Sequence, residues 1–393
     1  MKRVSKVLTA LVLGTVLAGL AAGCGGGEKK ADTIKVGANL EMTGGSASYG
    51  ISSKNAIELA FKEINEKGGI NGKQLELVVA DNKSEAAEAT NAMQKLVSQD
   101  NVVAVIGPNL SSSVIAASAI NNSAKVLDIA PMATNPYVTV DQASGKTKDF
   151  NYRTCFIDPF QGKVMAEYAH QNGFKKVAIV QEVSNDYSVG LAKFFREEFV
   201  KLTGDENSIV DVANYQTGDK DFTAILTNIK ALNPDAVFAP GNFTESALLV
   251  KQARQLGIDA QFMGGDTWET QEFIDVGGKD VEGVALSTAF DREKASTEEA
   301  KKFLDAYTKE YNGEPSALTA MAYDAYLIAV SGIEKAGTVT DTVKIRDAIA
   351  ATKDLECVTG MTTLDENGDP IKGVVIKTVK DGKFTFKDYV EAK

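Results

Sequence analysis

From residue 32 onward, short apolar, β-branched runs alternate with stretches whose apolar residues recur at helical spacing. The run at 34–40 reads Ile-Lys-Val-Gly-Ala-Asn-Leu and predicts a strand. Residues 52–67 follow, with Ala56, Ile57, Ala60, Phe61 and Ile64 on one helical face and Gly68-Gly69 as the stop. Strands are then predicted over 74–80, 102–106 and 126–129, with helices over 85–98 and 111–122. The rhythm restarts with strands at 176–181, 209–215, 236–239, 261–264 and 283–287, and helices at 187–202, 222–232 and 244–256. Three more helices are expected, at 297–311, 318–336 and 341–351. The end reads as a hairpin, 374–379 and 384–386 around Asp381-Gly382. Two βα sets of similar size predict an α/β protein of two lobes, each a mainly parallel sheet with helices on both faces.

In open sheets of this kind, ligands bind beyond the carboxyl ends of the strands, near helix N-termini. Polar loops occupy such places at residues 109–113, 132–136, 241–244 and 265–268. Catalytic chemistry is poorly provided for. The one histidine, His170, lies in a helical stretch at 160–172 and reads as an exposed helical side chain. No Gly-x-Ser-x-Gly elbow accompanies it, and no glycine-rich phosphate loop with Lys-Ser/Thr is present. Asp81, Asp186 and Asp266 fall near strand or helix ends; spacing alone leaves a carboxylate pair for hydrolysis open, and nothing favours one. No cofactor and no metal is expected, because no cysteine or histidine spacing resembles a zinc site.

The length, 393 residues, suffices for two domains, and an apolar share of 44% fits a folded body. Net charge is −11, and an acidic surface argues against a nucleic-acid partner. The N-terminus changes this picture. Lys2, Arg3 and Lys6 precede an uncharged apolar stretch at 7–23, shorter than the roughly 20 residues that span a bilayer. That pattern is a secretory signal peptide. Leu20-Ala21-Ala22-Gly23-Cys24 resembles a bacterial lipobox, with cleavage before Cys24 and a lipid on its thiol. Removal of 1–23 leaves 39 basic against 53 acidic side chains, or −14. Residues 24–31 then read as a flexible polar tether. Of the remaining cysteines, Cys155 and Cys357, export permits a disulfide, and two buried thiols are the equal alternative.

Several motifs are similar to those of the branched-chain amino-acid (Leu/Ile/Val) binding proteins of ABC importers. They include Met42-Thr43-Gly44 with Tyr49-Gly50, Ile64-Asn65-Glu66-Lys67-Gly68-Gly69, and Ile106-Gly107-Pro108 with Ser111-Ser112-Ser113. Ala133-Thr134-Asn135-Pro136, Gln252-Ala253-Arg254 with Phe262-Met263-Gly264, and Leu364-Asp365-Glu366-Asn367-Gly368-Asp369 continue the series. The resemblance implies the type I periplasmic-binding fold: two Rossmann-like lobes joined by three crossover strands, near 154–158, 287–290 and 359–363. The first lobe would be 32–155 with 290–360, and the second 156–289 with 361–393.

The resemblance also implies a ligand site for a free amino acid. Ser111 would hold the carboxylate at a helix start, where it also serves as a helix cap. Thr134 and the carbonyl of Met132 would bind beside it, and Asp266, in place of the family's Glu, would meet the ammonium. Tyr49 and Tyr187, each in a loop, would line the cleft from opposite lobes. Leu110, Phe243 and Leu318 would form the side-chain pocket. Asn242 stands where well-known members carry an aromatic residue, and Trp268 would be either a pocket wall or a lobe-surface anchor. The implied protein is a monomeric extracytoplasmic lipoprotein that closes on its ligand and passes it to importer permease subunits. Its rivals are the same fold reading another amino acid, an amide or a small carboxylate, a sensory subunit, and an enzyme on this fold.

Overall fold

A computed structural model describes residues 33–392. The expected signal peptide, Cys24 and the tether lie outside the described residues. The first sheet contains β1 (Ile34–Leu40), β2 (Leu75–Asp81), β3 (Ala104–Ile106), β4 (Leu127–Ala130) and β5 (Asn151–Arg153). Their order is β2-β1-β3-β4-β5, and every neighbouring pair is parallel. Helices α1 (Ala47–Glu66), α2 (Ala86–Lys95) and α3 (Ser111–Ala124) connect the strands. Both faces are covered, so β3 and β4 are buried at every residue; β3 is wholly apolar and β4 is apolar apart from Asp128.

The chain then crosses to a second α/β lobe. This lobe runs α4 (Asp158–Gln171), β6 (Val177–Glu182), α5 (Asp186–Thr203), β7 (Ile209–Tyr215), α6 (Thr223–Leu232) and β8 (Ala236–Phe238). It continues through α7 (Phe243–Gln255), β9 (Gln261–Gly264), α8 (Gln271–Gly277) and β10 (Ala285–Thr288). The chain returns to the first lobe with α9 (Glu298–Tyr311), α10 (Ala317–Ala336) and α11 (Thr342–Ala350). A small antiparallel pair follows, β11 (Leu355–Cys357) with β12 (Gly360–Thr362). Finally β13 (Val374–Lys380) and β14 (Lys383–Val390) add to the second sheet, whose order is β14-β13-β10-β9-β8-β6-β7. Only the β10-β13 and β13-β14 pairs of that sheet are antiparallel.

Elements absent from the sequence reading are the short ones. β5 is three residues, Asn-Tyr-Arg, with no apolar run to announce it. Its Arg153 is nonetheless fully buried. α8 spans seven residues, and β11 and β12 three each. The third crossing also differs from expectation. Leu364 belongs to the first lobe's core, and Asp369 pairs with Arg153 at the end of β5. Residues 361–370 therefore stay with the first lobe, and the chain leaves it close to β13.

Three buried cations, in four ion pairs, frame these crossings. Arg153 Nε lies 2.6 Å from Asp369 Oδ1, and Lys372 Nζ lies 3.1 Å from Asp324 Oδ2. Lys377 Nζ contacts both Glu269 Oε1, at 2.6 Å, and Asp291 Oδ2, at 3.2 Å. Burying charges is costly, but removing one partner of such a pair costs about 3–5 kcal/mol, so each fixes a local geometry. Cys155 and Cys357 are both buried free thiols. Among the described residues, no group of His, Cys, Asp and Glu has a metal-holding arrangement, and no helix is long and apolar enough to cross a membrane.

Candidate ligand site between the lobes

The loop after β3 brings the chain into α3. Gly107 enters it at φ +86°, and a Cβ there would sit 2.5 Å from the Asn39 carbonyl oxygen, so only glycine fits. Glu41, fully buried, holds the loop from below. It accepts the Asn109 N–H at 3.1 Å, the Asn109 side-chain amide at 2.8 Å and the Asn82 amide at 3.2 Å. Burial raises the Glu41 carboxyl above its usual range, and these donors oppose the rise. The consequence is a fixed start for α3. Leu110, not Ser111, occupies the cap position, so Ser111 is the first helical residue. Its first-turn N–H groups have no intrahelical acceptor and make a positive end. The Ser111 hydroxyl accepts the Asn135 N–H at 3.2 Å, which ties α3 to the loop after β4. Met132 and Thr134 lie in that loop, both buried.

The facing wall comes from the second lobe. Tyr187 stands in the first turn of α5, and its hydroxyl donates to Asp266 Oδ1 at 3.0 Å. Gln161 of α4 donates to the same oxygen at 2.9 Å and to the Ser287 hydroxyl at 2.9 Å. Gly265 makes room for this arrangement, since a Cβ there would lie 1.9 Å from the Tyr187 hydroxyl. Burial pushes the Asp266 carboxyl up to about 6, opposed by the Gln161 and Tyr187 donors. Its Oδ2 is buried and has no hydrogen-bond partner among the described residues. Asp158, at the start of α4, is a second buried carboxyl nearby. Burial pushes it up to about 8, so it is largely neutral at pH 7; the Thr134 hydroxyl opposes the rise without an aligned hydrogen bond, and Asp266 adds to it.

Between the walls lies a narrow cavity of about 10 Å³, lined by Leu110, Ser111, Met132, Tyr187 and Asn242 together with Asn109, Asn185 and Thr267. The lobes touch directly around it. Tyr49 donates to the Thr267 carbonyl at 2.8 Å, the Asp186 N–H donates to the Ser112 hydroxyl at 3.0 Å, and Asn135 donates to the Asp186 carbonyl at 2.8 Å. The structure is therefore the closed form of a two-lobed cleft.

Residues 33–383 match the family described as periplasmic binding protein. The chain belongs to this family. Among curated members, it is 34% identical to the Leu/Ile/Val-binding protein BraC3 of Rhizobium johnstonii over 86% of this chain and 88% of that one. Among solved structures, a leucine-binding protein of Thermotoga maritima superposes with a TM-score of 0.85 at 38% identity, covering 91% of this chain and 99% of that one. The branched-chain amino-acid binding protein LivJ of Streptococcus pneumoniae, in complex with isoleucine, gives 0.84 at 37% identity over the same shares. The two-lobed type I fold with three crossovers is thus the fold of the family and of this member.

Several expected site residues converge and others do not. Leu110, Ser111, Met132, Tyr187 and Asn242 line the cavity. Asp266 stands behind Tyr187, and Thr134 is beside Asp158. Tyr49 and Phe243 pack edge to face at 5.3 Å, and Leu318 shares their buried cluster. Tyr49 and Tyr187 sit on helix first turns rather than in loops. Trp268 is neither a pocket wall nor a surface anchor. It is fully buried, stacked on Phe273 at 4.8 Å and seated over Gly264, where no Cβ would fit. His170 is half-buried on α4 rather than exposed. Glu41, Asp158, Gln161 and Asn185 escaped the sequence reading, and Asn109 and Thr267 enter it only as members of the loops 109–113 and 265–268. A signal existed for Asp158: an acidic residue just before Pro159, at a helix start.

Proposed function

We propose that this protein captures one free α-amino acid of branched-chain size, the Leu/Ile/Val group, between its lobes and hands it to an ABC importer. One observation carries the reading. The two walls of the cleft are chemically opposite. The α3 terminus with Ser111 offers hydrogen-bond donors suited to a carboxylate. The opposite wall offers Asp266, a buried carboxylate with an unpartnered oxygen suited to an ammonium. Thr134 and the Met132 carbonyl flank the first wall, Leu110 and Tyr187 line the cavity, and Tyr49, Phe243 and Leu318 pack in the buried cluster around it. The names of the relatives, binders of leucine, isoleucine and valine, support the same size class.

Binding favours the closed form only by the contacts that both lobes make together, and no bond is made or broken. The residues at 1–31 complete the proposal: export by the signal peptide, lipidation at Cys24 and action as a tethered monomer outside the cytoplasm. Calorimetry with the twenty amino acids tests the binding reading. Leucine, isoleucine or valine is expected to bind with micromolar or tighter affinity, and a panel without heat overturns it. Cys24→Ser is expected to move the protein from the membrane fraction to the soluble one, and retention on membranes counts against the anchor.

A further inference from the structure

Asn242 is a polar group on the cavity that the site does not yet account for. It occupies the cap position of α7, where an Asn side chain ordinarily accepts a first-turn N–H. Here it makes no such bond. Its residue is 6% exposed and lines the cavity, and its side-chain oxygen is buried without a partner among the described residues. Its backbone is fixed independently, because its N–H donates to Glu182 Oε2 at 3.4 Å. Asn185, the other second-lobe amide on the cavity, is already committed, donating to the same Glu182 oxygen at 3.2 Å. A position that could have capped a helix instead holds an unpartnered amide oxygen at the ligand cavity.

We infer that Asn242 selects ligands whose side chain carries a hydroxyl, so that threonine is preferred over its isostere valine. The inference rests on the amino-acid reading above and sharpens it. A buried amide facing only methyl groups would lose its hydration without compensation, whereas a hydroxyl restores one bond. A hydroxyl both donates and accepts, so the conclusion is the same whichever way the amide is turned. The methyl of threonine keeps the apolar contact that Leu110 and Met132 offer. An acidic side chain is disfavoured, because Glu182 lies directly behind Asn185 and Asn242, with Glu245 close enough to raise the Glu182 carboxyl further.

Calorimetry on the full protein with L-threonine and L-valine tests this. Threonine is expected to bind the wild type at least about tenfold more tightly than valine, the discrimination typical of one unpaired buried polar group. Asn242→Leu is expected to abolish or invert that ratio, with Asn242→Ala as the second variant if the first does not fold. Equal or tighter binding of valine to the wild type overturns the inference and leaves the amino-acid reading standing. A threonine preference that survives both substitutions removes Asn242 as its cause. Binding of no amino acid at all overturns both.

Discussion

The two walls of the cleft each contain a buried carboxylate, and the two are used differently. Glu41, beneath the first wall, is surrounded by donors: both of its oxygens accept hydrogen bonds from Asn82, Asn109 and the loop before α3. Asp266, in the second wall, has one oxygen held by Tyr187 and Gln161 and the other without a partner among the described residues. A saturated buried carboxylate organises structure. A half-saturated one retains a strong preference for an incoming cation. The comparison teaches where to expect loss of stability and where to expect loss of binding.

The sharpest way to break the comparison is to neutralise each carboxylate. Asp266→Asn is expected to weaken amino-acid binding by a hundredfold or more, about 3 kcal/mol, while the denaturation midpoint stays level or rises. Glu41→Gln should do the reverse. It turns a donor toward Asn109 and is expected to cost about 2–3 kcal/mol of stability, read by chemical denaturation. If the two variants exchange these phenotypes, the division of labour is wrong. The pH profile gives a smaller effect. Asp266 rises from its ordinary 3.8 to about 6 in the closed fold. The folded protein thus holds this proton more tightly than the unfolded chain, so falling pH between 6 and 3.8 favours the fold through this group. Binding an ammonium has the opposite sign, because it needs the ionised form. Affinity should therefore fall by about tenfold per pH unit below 6, measured by calorimetry, and a flat profile between pH 7 and 5 would remove Asp266 from the ammonium site. The smallest effect is expected for Trp268→Phe, which should leave affinity within about twofold while lowering stability by about 1–2 kcal/mol through lost packing.

Long elements were legible in the sequence because they carry sustained β-branched or helix-forming apolar runs bounded by turn and cap signals. β7 (Ile209–Tyr215) was read to the residue, and α10 (Ala317–Ala336) to within one. The cleft was legible where a motif placed a polar residue at a strand end, as with Ser111 and Asp266. Illegible residues act across long sequence separations. Glu41 reaches Asn109 over 68 residues, and Gln161 reaches Asp266 over 105. No local pattern marks such partners. Trp268 was misread for a related reason. Its proximity to Asp266 in sequence suggested the cleft, but a short turn of helix at Asp266–Trp268 directs it into the core over Gly264.

The direct bonds between the lobes, Tyr49 to Thr267, Asp186 to Ser112 and Asn135 to Asp186, require nothing from a ligand. Each therefore raises the share of time that the empty molecule spends shut. A molecule that is shut too often admits ligand rarely, and one that is shut too seldom releases it early. The dissociation constant measured for any ligand is then a product of two quantities, the fit of the site and the resting balance between shut and open. Bonds between the lobes, as much as bonds to the cargo, set how long it stays.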